Sequence, residues 1–118
     1  MRSNSPARHQ EPEVLLYQTD DGTSRVEVRM AGETVWLNQN QMAELFLTTK
    51  QNVGQHIRNV FAEGELAPES VVKDYFTTAA DGKQYRTKHY NLDVIISVGY
   101  RVKSHRGTQF RIWATLQL

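Results

Sequence analysis

The sequence predicts an α+β domain, and three observations predict it. Val26, Val28 and Met30 alternate on one face of SRVEVRM, two capped segments of helical period follow at 38–63, and two β-rich runs then flank Ala80-Asp81-Gly82. With 118 residues the chain has the size of one domain. Its 39% hydrophobic content, with two Trp, five Tyr and four Phe, excludes the composition of a disordered chain.

Residues 1–13, MRSNSPARHQEPE, are polar and carry two prolines without periodicity, so a disordered leader is expected before a folded unit at 14–118. VLLYQT, the turn signal DDG, SRVEVRM, Ala31-Gly32-Glu33 and TVWL then read as an antiparallel β-meander over 14–37. Asn38 occupies the N-cap of a first helix, expected at 39–46, with Gln41 placed for the return bond of a capping box. Leu47-Thr48 interrupts the period, and because leucine disfavours a left-handed corner the chain is expected to turn by another path. Thr49 caps a second helix, expected at 49–63, whose Val53, Ile57, Val60 and Phe61 fall at core spacing and which Gly64 ends.

A linker at 65–70 leads into VVKDYFTTA and KQYRTKHYN. The Asp-Gly pair between them favours a tight hairpin turn whose two central residues tolerate positive φ. Asn91 caps a helix at 92–102, with Val94, Ile95, Val98, Tyr100 and Val102 toward the core. A last helix at 108–118 is expected to present Phe110, Trp113, Ala114, Leu116 and Leu118. It stops with no glycine or basic C-cap, from which a longer natural protein is expected.

Several function classes are excluded by composition. The chain has no cysteine, so a disulfide framework and Cys-ligated zinc or iron–sulfur sites are ruled out, and a reducing, cytoplasmic setting is expected. The longest uncharged apolar run, 94–100, is far below the ~20 residues of a membrane span. His9, His56, His89 and His105 stand singly, with no H-E-x-x-H, G-x-S-x-G or phosphate-cradling loop, and the spacing of Asp74, Asp81, Asp93 and Lys88 does not suggest a nuclease. No enzyme and no cofactor are expected.

Charge is segregated along the chain. Residues 1–82 hold seven Lys/Arg against twelve Asp/Glu, whereas 83–118 hold seven Lys/Arg against Asp93 alone. Such asymmetry suits a surface that meets a polyanion. The segment 39–58 fits a helix-turn-helix: Ala43 is small where two helices would cross, and Met42, Phe46, Val53 and Ile57 supply the apolar contacts. The outward positions of its second helix would be Thr49, Lys50, Gln51, Gly54, Gln55 and Arg58. Glutamine can pair bidentately with adenine, lysine and arginine reach guanine or phosphate, and threonine donates to phosphate. The hairpin at 72–91 would follow as a wing, its second strand bringing Lys83, Arg86, Lys88 and His89 to the backbone or minor groove. A helical hairpin buried in a core, or an edge strand protected by lysines, would carry the same residues. Arg101, Lys103, His105, Arg106 and Arg111 form a further basic cluster, suited to phosphate or to the C-terminal dipole of the preceding helix.

The runs TVWLNQNQMAELF, TTKQNVGQHI, NVFAEGEL, TTAADGKQY and NLDVIISVGYRVKSHRGTQFRIWAT resemble the bacterial RhuM-type virulence-associated proteins over 15–115. Phe110 to Trp113 is also similar to the F-x-x-W segment of phage antirepressor and BRO-type DNA-binding domains. That resemblance implies nucleic-acid binding and a family architecture longer than this chain, and it carries over no catalytic residue. The expectation is a winged-helix-like helix-turn-helix domain with an N-terminal β-meander and C-terminal helices. Its partner would be double-stranded DNA, met by one copy or a homodimer in a regulatory role, with no membrane or small-molecule substrate. The alternative is a protein interaction or targeting module of a virulence or toxin-system protein.

Overall fold

A computed structural model of the chain describes residues 13–118. The expected leader lies outside the described residues, except for Glu13, which opens the first strand. In chain order the elements are β1 (Glu13–Gln18), β2 (Arg25–Ala31), β3 (Thr34–Leu37), α1 (Gln39–Phe46), α2 (Lys50–Ala62), α3 (Pro68–Val71), β4 (Val72–Thr78), β5 (Gln84–Asn91), α4 (Leu92–Arg101) and α5 (His105–Gln117). The architecture is mixed α+β.

The meander and the later hairpin form one antiparallel sheet of order β1-β2-β3-β5-β4. The short seam is β3 against β5, where Trp36 faces Asn91 and Leu37 faces Tyr90. A period of two puts Tyr17, Val26, Val28, Val35, Leu37 and Tyr90 on the face turned toward the helices, and all six are buried. Met42, Leu45 and Phe46 of α1, Val53 and Ile57 of α2, Val94, Ile95 and Val98 of α4, and Phe110 and Ala114 of α5 complete that core. Each fully buried aliphatic or Phe side chain contributes about 1.5–3 kcal/mol relative to exposure.

The caps form as the sequence predicts. Asn38 Oδ1 accepts from Gln41 N at 2.8 Å while Gln41 Oε1 accepts from Asn38 N at 2.8 Å, completing the capping box. Thr49 Oγ1 accepts from Asn52 N at 3.0 Å, and Asn91 Oδ1 from Val94 N at 3.3 Å. The end of α2 is closed by Glu65 N donating to Val60 O across Gly64, whose φ is 73°.

Several expectations need correction. Leu47 is left-handed after all, at φ 54° and ψ 50°, and Thr48 N donates back to Ala43 O at 3.0 Å. Packing of Phe46 and Val53 into one core fixes where α1 must stop and α2 begin, and that constraint overrides the leucine's preference, which costs about 1–2 kcal/mol. The hairpin turn is a five-residue loop, Ala79 N donating to Lys83 O at 2.9 Å, with positive φ at Gly82 alone. The linker contains the short α3, started by Pro68, whose missing N–H costs nothing at a helix's first position. Ser104 starts α5 three residues earlier than predicted by accepting from Arg106 N. Tyr100, Leu116 and Leu118 point outward, at 83%, 79% and 54% exposure, because α4 and α5 present their other faces to the sheet.

Candidate nucleic-acid interface

Buried and paired polar groups lock α1 and α2 in place. Arg106, near the start of α5, is buried. Its Nη1 donates to Ser24 Oγ at 2.9 Å and to Leu45 O at 3.1 Å, and its Nη2 to Asp21 Oδ2 at 2.8 Å and to Thr23 Oγ1. Leu45 O lies at the C-terminus of α1, where helix carbonyls lack internal partners and the dipole favours a cation. One guanidinium thus ties the β1–β2 turn, the end of α1 and the start of α5. The bond from Arg106 holds the Asp21 carboxyl well below the usual carboxylate range, helped by Thr23 and Thr19.

Two members of the C-terminal basic cluster are therefore committed to structure. Arg101 Nη2 donates to Glu63 Oε1 at 2.7 Å and to Glu65 Oε1 at 2.8 Å, lowering both carboxyls and joining α4 to the end of α2. His89, expected beside phosphate, is also buried. Burial lowers its pKa, and its ring sits under Tyr75 with centroids 5.2 Å apart. Arg29 Nη1 donates to His89 Nε2 at 3.0 Å, and since an arginine cannot accept, the ring proton is on Nδ1, which donates to Thr87 O at 2.9 Å. Strand alternation explains this: His89 falls on the outer sheet face, where Tyr75 and Arg29 cover it.

On α2, Thr49, Lys50, Gln51, Gln55 and Arg58 are all exposed. Arg58 Nη2 donates to Gln55 Oε1 at 3.1 Å, and Gln55 Nε2 to Asn59 Oδ1 at 3.1 Å, so the two long side chains lie along the helix surface. Thr49 spends a lone pair on its cap and keeps its hydroxyl proton for another acceptor. Gly54 is corrected: it is buried, and a Cβ there would meet Gln39 Nε2 at 3.2 Å and Arg58 Nη1 at 3.5 Å. It belongs to the inner side of α2, under two flexible side chains.

On the hairpin, Lys83, Arg86 and Lys88 are exposed. Arg86 and Lys88 share one face of β5 with buried Tyr90, which turns them toward α2. Arg86 lies over the Phe76 ring at 6.0 Å, and Lys88 stands opposite Asp74 across the strands. Lys83 follows Asp81 in the loop, where Asp81 Oδ1 accepts from Lys83 N and Oδ2 from the Tyr85 hydroxyl. Among the described residues ion pairs involve Arg101 and Arg106; none involves Lys50, Arg58, Lys83, Arg86 or Lys88.

The two elements meet in a groove of about 400 Å³. Arg58 and Lys88 both line it, together with Ile57, Phe61, Tyr90 and Gln39. The structure therefore brings together Arg58 and Lys88, with Arg86 on the same hairpin face, while Lys83 stands apart at the loop. Gln39 was missed by sequence reasoning. Its position as the first residue of α1 was the signal, since that turn faces the neighbouring helix across Gly54.

Among the described residues no three His, Asp or Glu side chains gather as a metal site, and no helix is long and apolar enough to cross a membrane. No curated protein and no solved structure matches the chain. Residues 70–118, from within α3 through the β4–β5 hairpin to the end of α5, match the model of the Virulence protein RhuM family, the family that the chain's motifs resemble.

Proposed function

We propose that the chain binds double-stranded DNA in the manner of a winged helix-turn-helix, with α2 reading the major groove and the β4–β5 hairpin resting on the backbone as a wing. The observation that carries this reading is the shared groove: Arg58 of α2 and Lys88 of β5 line it together, and neither is in an ion pair among the described residues. At 1.5 Å per residue α2 is about 20 Å long, and a helix fits the roughly 12 Å major groove. Its exposed Thr49, Lys50, Gln51, Gln55 and Arg58 combine phosphate donors with groups that pair with base edges. The role is regulatory, by occupancy of a site, and involves no chemical step.

Alanine variants at Gln51, Gln55 and Arg58 test the reading helix. Because all three side chains are exposed, melting should change by no more than about 0.5 kcal/mol equivalent. Discrimination between a selected and a scrambled duplex should fall, since a bidentate base contact distinguishes bases by about 1–3 kcal/mol. If the selected-to-scrambled ratio is unchanged in all three, α2 is not the reader. If instead the variants release a protein partner and leave DNA affinity alone, the helix pair is a docking face.

A further inference from the structure

The α4–α5 hairpin carries a second surface that DNA binding does not use. Between these helices lies a groove of about 460 Å³, its floor made by Gly99 and Gly107 and its wall by Ile96 and Tyr100. The floor is glycine because the helices touch there: a Cβ on Gly99 would fall 3.4 Å from Gly107 Cα. Tyr100 stands one turn after Ile96 on α4, so the two form an apolar strip along the groove, and among the described residues the tyrosine has no aromatic neighbour. An amphipathic ring left this open beside an apolar floor is the usual form of an interface anchor.

The rim decides what can sit there. Lys103, His105 and Arg111 line the groove and all three are exposed; among the described residues none of them is in an ion pair and no acidic side chain lines the groove. Glu65, on the far side of Tyr100, is already held by Arg101 and Ser97. A second copy laid face to face would oppose like charges, which penalises self-association here. A phosphate backbone would match the cations and leave the apolar floor unmatched. We propose that the groove docks an acidic amphipathic segment of a partner protein, apolar side chains against Ile96, Gly99 and Tyr100 and carboxylates on Lys103 and Arg111.

The test is fluorescence anisotropy of a labelled leucine–glutamate helical peptide titrated with the whole chain, beside a leucine–lysine peptide of the same apolar pattern. Saturable binding of the acidic peptide alone is expected. Tyr100→Ser and Arg111→Glu should each weaken it about tenfold or more, as loss of an anchor does, with unchanged melting because both side chains are exposed. Lys103→Gly supplies a further variant that keeps the fold, since the residue sits at φ 55°, which glycine adopts freely. Equal affinity for the two peptides, or full affinity in both Tyr100→Ser and Arg111→Glu, would overturn the proposal. So would a concentration-dependent dimer abolished by Tyr100→Ser, which would assign the groove to a second copy, or displacement of the peptide by duplex DNA.

Discussion

The cations of α2 and the β4–β5 hairpin and two arginines of the α4–α5 hairpin, Arg101 and Arg106, look alike in sequence and differ in what they are attached to. Arg101 and Arg106 reach back to Glu63, Glu65 and Asp21, tens of residues earlier in the chain. Lys50, Arg58, Lys83, Arg86 and Lys88 make no such pair among the described residues. The lesson is that a run of basic residues measures available positive charge only after the acids folded against it are subtracted. Here the subtraction removes the two arginines that assemble the scaffold and leaves one set around α2 and the β4–β5 hairpin and a smaller one, Lys103 and Arg111, at the α4–α5 groove.

The largest expected effect comes from breaking the structural side of this contrast. Arg106→Ala leaves Leu45 O and Ser24 Oγ buried without their donor, and should destabilise by about 2–3 kcal/mol. Thermal melting checks this; a loss below 0.5 kcal/mol would show that water replaces the guanidinium.

Two helical glycines, Gly99 and Gly54, sharpen the same contrast. A Cβ at Gly99 would meet Phe46 Cζ at 3.0 Å and the Gly107 backbone, so Gly99→Ala should cost about 1–3 kcal/mol by overpacking. At Gly54 the nearest atoms are the mobile ends of Gln39 and Arg58, and Gly54→Ala should instead gain up to about 1 kcal/mol of helix propensity. Chemical denaturation of both variants reads the opposite signs directly.

Acidification probes the buried histidine. Burial holds the His89 pKa below its ordinary value near 6.5, so beneath that pH the unfolded chain binds a proton that the folded chain refuses. Stability contributed by the neutral ring is fully present above pH 6.5 and is lost as pH falls toward the folded pKa. Asp21, lowered by Arg106, loses its contribution in the same direction but only as pH falls below the ordinary aspartate range. Melting temperature should therefore decline as pH falls below about 6.5, and His89→Gln should flatten that decline. An unchanged slope in the variant would place the acid sensitivity elsewhere.

The α+β class, the three polar caps and the core faces of α1, α2 and α4 were legible because they depend on local spacing: Asn38 with Gln41, Thr49 with Asn52, Val94 with Val98. What the sequence hid depends on partners far along the chain. The β3–β5 seam joins residues more than fifty positions apart, and the left-handed Leu47 is imposed by packing against its preference. For His89, strand parity decided the outcome, since Lys88 and His89 are neighbours in sequence on opposite faces of one sheet. Arg106 was hidden by the helix start expected at 108: only with Ser104 as the N-cap does it fall in the first turn, where a cation opposes the dipole and so asks for an acid or a carbonyl.

The central claim is that Arg58 and Lys88 act together on one duplex, and salt dependence tests it most directly. Affinity for mixed-sequence duplex DNA should fall steeply with salt in the unaltered chain, since bound cations release counterions. Arg58→Ala and Lys88→Ala should each reduce the slope by about one, with melting shifted by no more than about 0.5 kcal/mol equivalent. An unaltered slope in both variants, or no duplex affinity at low salt in the parent chain, would contradict the claim.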